Sequence, residues 1–210
     1  MLDVITIDGP AGVGKSTISK LIAQKIGYHY LNTGIFYRSY TYAYLIKNCS
    51  SIEDLLQVNL TFKLEGLDLK SYLDEKEIPE RKIRTRKVEE NIAIISTNEN
   101  IRKIVAEKER EIASNHKLVT EGREQGTFVF PNAKFKFYLD ASVRTRAERR
   151  MQDFIESIPI EELEERIRKR DYDDMTRKFA PLQKPDGAIV ILTDNYTIEK
   201  IVEKIISYLD

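Results

Sequence analysis

Gly9-Pro10-Ala11-Gly12-Val13-Gly14-Lys15-Ser16, followed by Thr17, satisfies the spacing G-x-x-x-x-G-K-[ST]. The chemistry open to such a run is phosphate capture. Its glycines let successive backbone N–H groups converge on phosphate oxygens, a helix starting there adds partial positive charge, and the lysine reaches the β and γ phosphates. Ser16 is placed to hold Mg²⁺, a hard cation whose other protein ligand in such sites is a carboxylate at a neighbouring strand end; Glu121, directly after Lys117-Leu118-Val119-Thr120, fits that need. Without the loop, Glu121 would read as an ordinary surface carboxylate. What becomes of the γ phosphate must be sought elsewhere, and the arginines are the clue. Arg38, Arg84, Arg102, Arg123, Arg170 and Arg177 fall near predicted element ends, and Arg144, Arg146, Arg149 and Arg150 crowd one stretch. Transfer between two phosphorylated molecules needs forked guanidinium groups to neutralise several phosphate oxygens, whereas a GTPase needs few. For any single arginine a solvated helix face is the competing account.

These residues work only if the right elements carry them. Leu2 to Asp8 is a short apolar run ending in a glycine-rich turn, a buried strand; Lys15 to Ile26 keeps helical spacing through Ile18, Leu21, Ile22 and Ile26 and stops at Gly27. Tyr28 to Leu31 reads as a second strand and Gly34 to Ile46 as a helix with Thr33 as its N-cap. Between Ile52 and Thr85 a short helix and two alternating segments, Asn59 to Leu64 and Leu67 to Leu73, predict a small antiparallel insert. Helices are expected over Arg84 to Ser96 and Asn98 to Ser114. Strands Lys117 to Thr120, Phe135 to Leu139 and Ala188 to Leu192 then bring the parallel core to five, and Ile198, Ile201, Val202, Ile205 and Ile206 mark a closing helix. Ser142 to Lys178 is a charged helical stretch broken at Pro159, compatible with a mobile hairpin or with a packed layer.

Composition sets outer bounds. The 210 residues carry 34 Lys+Arg against 34 Asp+Glu, so no global positive field would hold nucleic acid or an anionic membrane, and anions must be bound by local clusters. A single cysteine, Cys49, excludes an intramolecular disulfide framework and points to a reducing compartment, with the cytoplasm as the default. No apolar run approaches membrane-spanning length, and the N-terminus has no export pattern. His29 and His116 lack partners at metal-ligand spacing. Tyr40, Tyr42 and Tyr44 are expected to pack. The basic run Arg81 to Lys87 has flanking glutamates and no interleaved aromatics, which favours a solvated face over a nucleic-acid patch.

Five blocks in one order resemble the cytidylate kinase family of nucleoside monophosphate kinases, nearly end to end. They are Ile5 to Thr17; Tyr30-Leu31-Asn32-Thr33-Gly34-Ile35-Phe36-Tyr37-Arg38; Ile83-Arg84-Thr85; Glu121-Gly122-Arg123-Glu124-Gln125-Gly126-Thr127-Phe128-Val129-Phe130-Pro131; and Arg170 to Arg177 leading to Ala180-Pro181-Leu182. The resemblance implies an α/β P-loop NTPase fold, a five-stranded parallel sheet flanked by helices, with a monophosphate-binding insert over residues 50–97 and a helical lid over 149–169. It implies transfer of a phosphoryl group from ATP to CMP or dCMP, with Mg²⁺, in a monomer binding small nucleotides only. Thr33, Tyr37, Arg38 and Arg123 would hold the acceptor phosphate, Arg170 would reach phosphate and ribose, and Asp174 the ribose hydroxyls. Arg102 and Arg177 would face the base, and Arg146, Arg149 and Arg150 would follow the migrating phosphoryl group. Four positions depart from the family pattern: Asn32 and Glu124 stand where Asp is usual, Gln125 where an apolar residue is common, and Ala93 where a base-contacting serine is expected. Two other readings compete: a regulatory protein that hydrolyses its nucleotide slowly, which would show a guanine-specifying motif or a switch glutamine, and a kinase for an unphosphorylated acceptor, which would show fewer acceptor-side arginines and an Asp general base.

Overall fold

The computed structural model describes residues 2–151 and 158–209. Its centre is strand β1 (Val4–Asp8), buried along its whole length because it has sheet neighbours on both edges and helices on both faces. The other strands are β2 (His29–Asn32), β3 (Leu60–Glu65), β4 (Asp68–Leu73), β5 (Lys76–Glu77), β6 (Leu118–Gly122), β7 (Phe135–Asp140) and β8 (Ile189–Leu192), in the order β3-β4-β2-β6-β1-β7-β8 with β5 beside β4. The five expected core strands β2, β6, β1, β7 and β8 pair in parallel. The insert departs from expectation by joining this sheet: β4 meets β2 in parallel at Tyr30 and Asp68, and Tyr30 N–H donates to the Leu67 carbonyl at 2.8 Å. Among the described residues one sheet therefore has eight strands, the five of the expected parallel core and the three of the insert. Among the described residues antiparallel pairing is confined to β3, β4 and β5, as the alternation between Asn59 and Leu73 indicated.

Helix α1 (Lys15–Ile26) packs on one face of the sheet through Ile18, Ile22 and Ala23, in a cluster shared with Ile5, Ile7, Val119 and the closing helix. On the other face, α2 (Thr33–Ile46) contributes Phe36, Tyr37 and Tyr40, with Tyr42 and Tyr44 at its margin, so the tyrosines pack as expected. The short α3 (Ile52–Leu56) opens on a capping box from Ser51 and Asp54. Instead of one helix from Arg84, the chain forms α4 (Glu80–Ile83) and α5 (Arg86–Ser96), because Thr85 turns extended and caps α5 by accepting from Val88 N–H. Helix α6 (Glu99–Asn115) starts at the cap Asn98 and buries Ile101 and Val105. After β6 comes a single π-helical turn, Gln125–Val129, which no periodicity announced. Helices α7 (Val143–Met151) and α8 (Ile160–Thr176) share a small core of Ala147, Leu163 and Ile167, and α9 (Ile198–Ile206) closes the α1 face. Pro159 stands at the N-cap of α8. Of the expected lid span 149–169, residues 152–157 lie outside the described residues.

Candidate active site

The ends of β1, β6 and β2 open on one cleft of roughly 990 Å³, with the Gly12–Thr17 loop on one wall and Arg38, Arg102, Arg123, Arg150, Arg170 and Arg177 facing it. The loop is shaped by its neighbours. Gly9 passes so near β7 that a Cβ there would collide with the Leu139 carbonyl oxygen, and Gly14 caps α1 in the left-handed region at φ 91°. Lys15 is buried, its Nζ donating to the Pro10 carbonyl at 2.7 Å; burial, with Arg123 nearby, pushes its ammonium down to about 7. The Ser16 hydroxyl donates to Glu121 Oε1 at 2.9 Å, so two oxygen donors suited to a hard cation stand side by side, and Tyr30 O–H donates to the same carboxylate oxygen at 3.3 Å.

Asn32, expected merely to precede the cap of α2, is the cap. Its backbone is extended and its Oδ1 accepts from Gly34 N–H at 2.9 Å, which frees the Thr33 hydroxyl to face Glu109 Oε1 at 2.7 Å and the Glu121 carbonyl at 2.9 Å. Arg38 pairs through Nε with Glu89 of α5 at 2.7 Å, across the mouth of the cleft.

Beyond the loop, a chain of alternating charges runs along the cleft. Arg123 Nε pairs with Asp174 Oδ2 at 2.9 Å, Asp174 Oδ1 with Arg177 Nη1 at 3.0 Å, Arg177 Nη2 with Glu124 Oε2 at 3.0 Å, and Glu124 Oε1 with Arg102 Nη2 at 2.5 Å, the last off the hydrogen-bonding angle. Burial opposes the charge on Asp174, yet Arg123 and Arg177 hold its carboxyl below the usual range. Tyr37 O–H lies 3.4 Å from Glu124 Oε1, and its ring carries the Arg102 guanidinium 5.4 Å from the centroid. Arg170, pushed down to about 10 by burial and by Arg123, lines the same wall, and Ala93 faces it from α5.

Two of the three arginines expected to track the phosphoryl group are tied to the scaffold. Arg146 donates to the Ala141 and Ala11 carbonyls, both at 3.1 Å, and pairs with Asp171 at 2.5 Å; Arg149 donates to Thr193 Oγ1 and its carbonyl. Arg150 lines the cleft, and so does Arg149 despite its anchor on Thr193. Sequence reasoning missed Asp171, whose Oδ1 accepts from the Ala11 N–H of the loop at 3.4 Å, although it lies inside the Arg170 to Arg177 block. It also missed Asp8, which accepts from the N–H groups of Gln125 and Gly126 at 2.8 and 2.7 Å and so pins the π turn to β1. Burial pushes the Asp8 carboxyl up to about 7 against those two donors. Glu109, wholly buried on α6, carried no signal, since one glutamate on a charged helix looks like any other.

A glycine loop between a central parallel strand and a helix, with a buried lysine facing an arginine-lined cleft, defines a P-loop nucleotide-binding protein of the kinase type. The gluconokinase of Sinorhizobium meliloti 1021 has a similar fold, with a TM-score of 0.54 at 16% identity over 99% of this chain and 91% of that one. In sequence the chain belongs to the cytidylate kinase family, whose model matches residues 5–210. It is 40% identical over 205 residues to the cytidylate kinase of Fusobacterium nucleatum subsp. nucleatum, covering 95% of this chain and 93% of that protein. It is also 37% identical to the bifunctional pantoate ligase/cytidylate kinase of Prochlorococcus marinus subsp. pastoris, over 97% of this chain and 42% of that longer protein. No helix among the described residues is long and apolar enough to cross a membrane.

Proposed function

We propose that the chain transfers the γ-phosphoryl group of ATP to CMP or dCMP, giving CDP or dCDP. The observation that carries this reading is the ion-pair chain Arg123–Asp174–Arg177–Glu124–Arg102, which leads away from the phosphate loop and ends on Tyr37. A kinase for an unphosphorylated acceptor has no use for such a run. In this reading the loop and Lys15 hold ATP, while Thr33, Arg38, Arg123 and Arg170 hold the acceptor phosphate. Asp174 takes the ribose, and Tyr37, Arg102, Glu124 and Arg177 take the cytosine edge. The insert 50–97 carries Arg38's partner Glu89 and serves as the monophosphate-binding wall. Ser16 and Glu121 would hold Mg²⁺, which when bound neutralises charge on the β and γ phosphates. Lys15 stabilises charge building between those groups, Arg150 follows the transferred group from the lid, and Arg146 and Arg149 fix the base of α7 on which it rides. All these residues come from one chain, so one copy suffices, and we place the enzyme in the cytoplasm, where its reducing-compartment composition fits.

A coupled assay with ATP across CMP, dCMP, UMP and AMP tests this. CMP and dCMP should lead. Turnover confined to AMP, or ATP hydrolysis independent of any monophosphate, would overturn the reading.

A further inference from the structure

Thr33 has one hydroxyl proton and two close oxygen neighbours, Glu109 Oε1 at 2.7 Å and the Glu121 carbonyl at 2.9 Å. A carbonyl only accepts, so the two contacts are separate two-centre hydrogen bonds only if Glu109 brings a proton of its own; otherwise one Thr33 proton is shared between them. The other carboxyl oxygen needs no proton, because it accepts. Glu109 Oε2 faces Gln125 Nε2 at 3.3 Å, and that amide is oriented by Thr120, whose hydroxyl donates to Gln125 Oε1 at 2.8 Å. Gln125, polar where the family pattern is apolar, thereby finds its purpose beside Glu109. Thr33 lines the cleft at the start of α2, whereas Glu109 lies behind it with no exposed surface.

We propose that Glu109 is a positioning residue for the acceptor monophosphate: as a neutral acid it donates to Thr33 Oγ1, so the single Thr33 proton, which rests on the Glu121 carbonyl, can turn to a phosphate oxygen when the monophosphate binds. Ionised, it would claim that proton and set a buried negative charge behind the incoming dianion. The surroundings favour the neutral form. Burial comes first and Glu124 of the π turn adds to it, while hydrogen bonds from Thr33 and Gln125 and the Arg102 charge oppose; the carboxyl is pushed up to about 8. Arg102 is spent on Glu124 and on the Ser96 carbonyl, and Arg110 turns to the Phe128 and Val129 carbonyls. From α2, Tyr37 faces Glu109 as a phenol whose own proton is held well above the usual range. Asp8 of β1 lies beyond Gln125, and the Glu121 carboxylate is engaged by Ser16 and Tyr30.

The proposal rests on reading Thr33 as an acceptor-phosphate ligand, and the test separates the two. The KM for CMP and kcat are measured at pH 7 and pH 9, a range in which the monophosphate stays a dianion. One unit above its pKa only about a tenth of an acid remains protonated, so KM of the parent enzyme should rise about tenfold with kcat nearly unchanged. Glu109→Gln keeps a donor that cannot ionise, and its KM should hold steady between the two pH values; Glu109→Ala should show a raised KM at both. Both proteins are measured at saturating ATP, whose phosphate oxygens keep Lys15 charged across this range. A rise in Glu109→Gln equal to the parent's overturns the proposal. Absence of CMP turnover at pH 7 in the parent overturns the acceptor reading instead. Carboxyl-¹³C NMR of the glutamate-labelled parent protein gives an independent readout: the Glu109 signal should titrate above pH 7 and move higher with CMP, and titration below pH 6 would overturn the proposal without any variant.

Discussion

Lys15 without nucleotide rests on the Pro10 carbonyl, buried and lowered to about 7. Phosphate oxygens would restore its charge, so ATP binding at pH 8 should take up nearly one proton, read from calorimetry in two buffers of different ionisation heat. Lys15→Met should abolish that uptake and lower kcat by about a hundredfold or more, since it removes charge stabilisation needed most in the transition state. Equal proton uptake in both proteins would show that the loop does not hold the phosphates. At the far end of the cleft, Ala93 offers no hydroxyl, and Glu124 already accepts from Arg177 and Tyr37. A missing polar contact to a base costs about 1–3 kcal/mol, so UMP should trail CMP by less than in a pocket with serine, and Ala93→Ser should widen the CMP-to-UMP ratio of kcat/KM about tenfold. An unchanged ratio would show that position 93 does not read the base. Residues of this kind were legible because spacing and blocks advertise them; Asp8 and Glu109 were not, because their roles depend on partners over a hundred and over seventy positions away in the chain.

Among the described residues, helices α7 and α8 share three buried apolar residues, with Val143 and Ile160 packed against them and exposed ion pairs such as Arg144–Glu148 around them. Pairs of that kind contribute little, so the hairpin's order comes from its roots, Arg146 on Asp171 and the loop, and Arg149 on Thr193. Closure over both nucleotides should slow amide exchange through 149–169, most at the α8 end bearing Arg166 and Lys169, which line the cleft. Exchange identical with and without ATP plus CMP would remove the lid from this account. The sequence placed a break at Pro159, where α8 has its N-cap, because proline acts locally. It could not show β4 joining β2, since a single backbone bridge at Tyr30 and Asp68 leaves no periodic trace. Nor could it show the π turn, whose geometry follows from two N–H groups bound by a carboxylate on another strand.

Across the molecule, buried acids set how stability answers pH. Asp8 and Glu109 have folded pKa values near 7 and 8, above their ordinary unfolded range near 4, so between pH 5 and 7 the folded state binds more protons and stability falls as pH rises. Each group contributes a slope of up to about 1.4 kcal/mol per pH unit. Above pH 7 the lowered Lys15 works in the opposite sense, because there the unfolded chain binds the extra proton. Thermal melts should thus show Tm dropping from pH 5 to 7 and levelling beyond, with a shallower drop in Glu109→Gln; a variant curve parallel to the parent's would contradict this. The sheet has a further consequence. The phosphate loop leaves β1, the acceptor helix α2 leaves β2, and β6 lies between them, with Ile7 beside Glu121 and Glu121 beside Asn32. Two strand spacings amount to about 10 Å, a distance metered by backbone hydrogen bonds rather than by any side chain. On the proposed reading, donor and acceptor are therefore anchored to a fixed gauge: substitutions in the cleft would alter how tightly it shuts, while the separation of its two moorings is inherited from the repeat of the sheet itself.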